Sequence, residues 1–172
     1  RIFEYFSQKS QMKKMLLLLV LLVAGCSGKS APPSSSPPAP PDLSQANTAN
    51  PGQALAIDTV LVKGKTTVCE FYSDNCGPCR EMAPIVEQIA RAHPDVAFRK
   101  LNIDRPGMGE IDFESPLATQ QNIHSVPYFR IYDGEGKVSA EGPDAKEQMR
   151  TWYSQAQMFD RAQNSSEGRQ LM

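Results

Sequence analysis

The residues that most directly specify chemistry in this 172-residue chain are two thiols held apart by a glycine and a proline, Cys76-Gly77-Pro78-Cys79. A β-branched and aromatic run from Thr66 to Tyr72 precedes them, and Met82, Ile85, Val86, Ile89 and Ala90 follow at helical spacing. The pair is therefore predicted where a strand turns into a helix, with Cys76 at the helix start and Cys79 one turn on along the same side. A helix start offers free amide donors and partial positive charge, which favour thiolate over thiol and draw a cysteine pKa from its ordinary ~8.5 toward neutrality. This makes Cys76 the expected nucleophile and Cys79 the resolving thiol. Pro78 suits a first helical turn, where no intrahelical donor is required, and Gly77 leaves the approach to the sulfur open.

A cysteine pair at this spacing is also half of a tetrahedral zinc site. Completing one would draw on Cys69, His93 and His124, none of which supplies a ligand pair at knuckle spacing. Both histidines are expected at loops or the surface, and Cys69 as a small hydrophobe buried in its strand. No metal or organic cofactor is expected.

Positioning the thiols requires a strand, a helix and whatever packs against both. Val96 to Ile103 reads as the next strand, after Pro94-Asp95 breaks the helix, which completes a βαβ unit. Tyr128–Tyr132 and Lys137–Ala140 read as short strands around the turn Asp133-Gly134-Glu135-Gly136, and residues 145–158 as a closing helix before a polar, fraying tail. Glu70 stands out: an acid in an apolar strand must face solvent or be buried with a partner. Pro84 falls inside the predicted helix and is expected to kink it without further role.

The landmarks Val68-Cys69-Glu70-Phe71-Tyr72, Met82-Ala83-Pro84-Ile85, Lys100-Leu101-Asn102-Ile103-Asp104 and Ser125-Val126-Pro127-Tyr128-Phe129, with the late Gly134 and Gly142, stand around the cysteine pair in a familiar order. Over roughly residues 57–158 the chain resembles the thioredoxin family. The resemblance implies an α/β thioredoxin fold, a central mixed β-sheet flanked by helices, with a cis peptide bond before Pro127 beside the cysteines. It implies a redox-active Cys76–Cys79 disulfide exchanged with protein thiols and disulfides, Gly77, Pro78 and the Val126 backbone touching substrate, and an electron donor or acceptor of unspecified identity. Glu70 takes the place of a usually buried aspartate that exchanges a proton with the resolving cysteine. Lys100 would be its charge partner, and Pro84 a structural support. Disulfide reduction is the expected direction; a dithiol oxidase of the same fold and a non-catalytic binding module are the alternatives. Tyr72 and Asn75 depart from tryptophans common in the family, so substrate preference does not carry over. The stretch Arg105 to Leu117 is longer than the corresponding loop of simple thioredoxins and reads as decoration of the fold rather than as a cover.

Upstream, Lys13-Lys14, the apolar run Met15–Val23 and the small residues Ala24-Gly25 before Cys26 follow the order of a secretory signal. Val23-Ala24-Gly25-Cys26 resembles the lipobox of bacterial lipoproteins, which implies lipid on Cys26 and a domain tethered in the cell envelope, facing the periplasm or exterior. Residues before Met12 read as an upstream extension. The expected organisation is extension and signal over 1–26, a disordered Pro/Ser-rich linker over 27–52, a thioredoxin-like domain over 53–159 and a polar tail over 160–172. A formal net charge of -1 with interspersed signs gives no footprint for nucleic acid.

Overall fold

The computed structural model of the chain describes residues 41–170. The expected signal segment, Cys26 and the first part of the expected linker lie outside the described residues.

A five-stranded sheet carries the domain, in the order β1-β3-β2-β4-β5. Strands β1 (Leu43–Gln45), β2 (Thr66–Tyr72) and β3 (Val96–Asn102) are parallel, while β4 (Tyr128–Tyr132) runs antiparallel to β2 and β5 (Val138–Glu141) antiparallel to β4. Helix α1 (Gly77–Ala92) joins β2 to β3, the short α2 (Pro116–Gln121) lies between β3 and β4, and α3 (Gly142–Gln170) closes the chain.

β2 is the central strand and is covered on both faces, which is why its sequence is almost continuously apolar. Side chains alternate along it. Val68 faces Val86, Ile89 and Ala90 of α1, with Phe98, Phe129 and Met149 filling the same layer. Cys69 and Phe71 point the other way, into a layer with Leu101, Ile103, Leu117, Ile123 and Tyr132. Glu70, two residues beyond Val68, therefore lies on the face under α1. The predicted β2, α1, β3 and β4 all form, and α1 runs through Pro84.

Two boundaries differ from expectation, and one helix was not anticipated. The linker was expected to reach residue 52, yet Leu43–Gln45 add a strand to the edge of β3. Backbone pairing and polar anchors make this strand, and neither leaves a hydropathy signal. Asp42 meets Arg99 at 2.8 Å and Lys65 at 3.4 Å, and the Asn47 amide both donates to Asn102 O (2.8 Å) and accepts from Asn102 N (2.9 Å). The arginine and lysine hold the Asp42 carboxyl below its ordinary pKa.

The tail was expected to fray from residue 160, but α3 continues to Gln170. Arg161, Ala162, Gln163, Glu167, Arg169 and Gln170 are good helix formers and outnumber Asn164, Ser165, Ser166 and Gly168 over its last turns. Helix α2 was not anticipated, although its start has a clear signature: the Ser115 hydroxyl accepts from Ala118 N at 3.1 Å, with Pro116 in the first turn.

Gly52 fixes the base of the segment between β3 and α2. It has φ +72°, donates to Asn102 O (3.0 Å) and accepts from Leu117 N (3.0 Å). A Cβ there would lie 2.7 Å from Arg105 N, so only glycine permits this approach.

Candidate active site

β2 ends at Tyr72, and four residues later Cys76 caps α1 with extended backbone (φ -92°, ψ 111°). Its Sγ accepts from Cys79 N at 3.1 Å, so one of the unpaired amides of the helix start is aimed at this sulfur. Pro78 occupies the first turn without forfeiting a bond, as expected. Cys76 and Cys79 are joined in a disulfide with Cα atoms 5.2 Å apart.

The peptide bond between Val126 and Pro127 is cis. It leads into β4, and it brings the Val126 carbonyl oxygen to 3.7 Å from Cys76 Sγ. Val126 thus stands directly beside the Cys76 sulfur. Gly77 is close only to the end of the Arg80 side chain, which leaves the flank of the sulfur pair unencumbered there.

Glu70 is 2% exposed, and neither carboxylate oxygen has a hydrogen-bond partner. Burial pushes its pKa up to about 7, against a smaller downward pull from Lys100. The two residues are neighbours in register across β2 and β3. The expected charge pairing is looser than a salt bridge: the Lys100 ammonium lies over the Tyr72 ring, 4.7 Å from its centroid, and no ion pair joins it to Glu70 among the described residues. Glu70 is therefore a proton-holding group near neutrality, on the sheet face beneath the helix that carries Cys79.

Cys69 is fully buried on the opposite face, and burial pushes its thiol up to about 12, against the pull of Arg130 and Arg99. It is chemically silent. His93 packs against Trp152 (5.6 Å between ring centroids), and His124 bonds Asn122 Oδ1 through Nε2 at 2.8 Å. No group of three or more His, Cys, Asp or Glu is placed to hold a metal among the described residues.

Three residues at the site were not singled out for roles by the sequence. Asp104, buried at the end of β3, accepts from Ser73 Oγ (2.7 Å), Asp74 N (3.1 Å) and Asn75 Nδ2 (3.3 Å) through one oxygen, and from Asp112 N (3.0 Å) through the other. Asn75 Nδ2 also lies 3.3 Å from Met108 O and 3.1 Å from Glu110 O. Ile111 packs against a cluster of Tyr72, Cys76 and Cys79, together with Val126. The segment expected to decorate the fold therefore forms one side of the redox site. Its signal was present in the polar residues flanking Cys76, whose partners lie about thirty positions away and are invisible to local patterning.

Comparison with known proteins identifies a family. The thioredoxin family model matches residues 54–155. Thioredoxin from Alicyclobacillus acidocaldarius is 38% identical over 88 residues, covering 49% of this chain and 75% of that protein. The chloroplastic Thioredoxin-like 1-1 of rice is 32% identical over 85 residues, which are 48% of this chain but only 28% of the longer relative. Among solved structures, spinach chloroplast thioredoxin f (long form) is 29% identical, with a TM-score of 0.40 over 55% of this chain and 73% of its own. The matched residues contain both cysteines, the buried glutamate and the cis-proline strand, and the chain belongs to the thioredoxin family of thiol-disulfide oxidoreductases, whose active-site disulfide works without a cofactor.

Proposed function

We propose that this protein is a disulfide reductase acting on protein substrates outside the cytoplasm. The observation that supports it most is the placement of Cys76 Sγ at the start of α1, in reach of the Cys79 amide and beside the Val126 carbonyl. In the dithiol state the Cys76 thiolate attacks one sulfur of a substrate disulfide; the substrate S–S bond breaks and the leaving thiolate takes up a proton. A mixed disulfide to Cys76 results. Cys79 then gives its proton to Glu70 and attacks Cys76 Sγ, which releases the second substrate thiol and leaves the Cys76–Cys79 disulfide. Two electrons pass to the substrate, and a dithiol reductant restores the pair. The Val126 backbone beside the sulfur offers a main-chain edge on which an extended substrate segment adds as a strand.

Turnover with insulin and dithiothreitol tests the activity; no acceleration of insulin reduction over the reductant alone would remove it. The equilibrium potential against glutathione tests the direction. A value closer to about -270 mV than to about -120 mV is expected for a reductase, and the reverse would identify an oxidant.

The site of action rests on the sequence Val23-Ala24-Gly25-Cys26 after an apolar run. In our reading Cys26 carries lipid, the stretch after it is a tether, and the domain works at the envelope. Cys26→Ser should abolish fatty-acid labelling and signal processing in cells, and a variant labelled and processed like the parent would refute the anchor.

A further inference from the structure

The side of the redox site formed by residues 105–115 is built as firmly as the cysteine motif itself. Arg105 clamps Asp112 with two bonds, Nε to Oδ2 at 2.6 Å and Nη2 to Oδ1 at 3.1 Å, and this pairing holds the Asp112 carboxyl below its ordinary pKa. Asp112 N in turn donates to Asp104, the carboxylate that also receives Ser73, Asp74 and Asn75. The residue immediately before the nucleophile thus ties the segment to the motif, through two backbone carbonyls on either side of Gly109. Ile111 is placed by these bonds. It packs against the cluster of Tyr72, Cys76 and Cys79, as Val126 does.

The consequence is a narrow approach. Cys76 is 2% exposed and Cys79 4%, so an incoming disulfide meets Ile111 and Val126 before it meets sulfur. Met108 and Phe113, at the outer part of the same segment, are each 36% exposed and extend the apolar character outward. Glu110 and Glu114 of the segment are exposed, while the Asp74 carboxylate accepts from Asn102 Nδ2 at 2.7 Å. Both nearby guanidiniums are engaged, Arg80 with Asp74 O at 2.9 Å and Arg105 with Asp112. The wall itself therefore offers apolar contact, with the Lys100 ammonium turned onto the Tyr72 ring.

Resting on the reductase reading, we infer that Ile111 is a specificity-determining residue and Asn75 its positioning residue. The wall selects protein disulfides in which a large apolar side chain adjoins the attacked half-cystine. The side chain next to the reacting sulfur lies against Ile111 while the substrate backbone runs along Val126. Asn75 acts only through Ile111, by holding the carbonyls of Met108 and Glu110.

Two fluorogenic peptide disulfides, identical except for leucine or serine before the cysteine, read this directly in the full chain with dithiothreitol as reductant. The parent should favour the leucine peptide in kcat/KM by about tenfold, the scale of discrimination that a few buried methylenes give. Ile111→Ala should bring that ratio close to one, through a raised KM for the leucine peptide, and Ile111→Val should keep most of it. Asn75→Ala should lower the ratio in the same way, and the double variant should be no less selective than Ile111→Ala alone. A parent that reduces both peptides equally, an Ile111→Ala variant with an unchanged ratio, or Asn75 and Ile111 effects that multiply would each overturn the inference alone. A parent that reduces neither peptide nor insulin would overturn the reductase reading and this inference with it.

Discussion

Cys79→Ser is expected to accumulate mixed disulfides with protein substrates, whereas Cys76→Ser should accumulate none and lose turnover. The asymmetry follows from the helix start, where only the Cys76 sulfur receives a backbone amide, from Cys79 N at 3.1 Å. Cys79 sits inside the first turn, is itself buried, and is bonded to the sulfur of Cys76. Removing it leaves the first exchange intact and deletes the second. Non-reducing electrophoresis of each variant, at matched expression and with Cys69→Ala in both, counts the adducts. Cys69 is fully buried with its thiol pushed up to about 12, so its replacement should not alter the outcome. Equal adducts from the two variants would eliminate the assignment of roles.

Glu70→Gln should stabilise the folded chain at alkaline pH and slow the release of substrate. Burial raises the Glu70 pKa from an ordinary 4.5 to about 7. The folded state therefore binds this proton more tightly than the unfolded state. Its contribution to stability is complete below about pH 4.5 and is lost as pH rises through about 7, where an unpartnered buried carboxylate must form. A shift of this size corresponds to about 3 kcal/mol. The stability difference between the glutamine variant and the parent should therefore grow by about 3 kcal/mol from pH 4 to pH 8, as followed by urea unfolding. A parallel pH dependence in the two proteins would mean that Glu70 is not the group responsible. The same substitution removes the proton acceptor for Cys79, so resolution of the mixed disulfide at pH 7 should slow about 100-fold while its formation is nearly unchanged. The deficit should shrink as pH rises and hydroxide supplies the thiolate. Quenched-flow single turnovers separate the two steps, and an unaltered resolution rate would leave the buried carboxyl without a catalytic part.

Legibility in the sequence followed the range of the interactions. Thr66–Tyr72 and the helix after Cys76 were readable because periodicity and the cysteine motif are local signals, and the strand carrying Lys100 and the one after Pro127 were marked by their apolar residues and by the breaks and turns beside them. β1 was not readable, since a three-residue edge strand with one large apolar side chain is held by backbone pairing and by Asp42 and Asn47. Ile111 escaped for the same physical reason. Its place is set by Asn75, Asp104 and Asp112, a polar relay whose members look like ordinary surface residues until the chain brings them together. Glu70 was the intermediate case: its oddity in an apolar strand was plain, but whether it was paired depended on where the Lys100 ammonium pointed.

The direction of β1 has a mechanical consequence. β1, β2 and β3 all run toward the rim where the cysteines sit, so the chain enters the sheet at the opposite rim, with Asp42 fastened to Arg99 and Lys65. Tension applied at residue 41 is delivered to the base of the domain, and the fastening transfers it to the sheet edge before it can reach the motif.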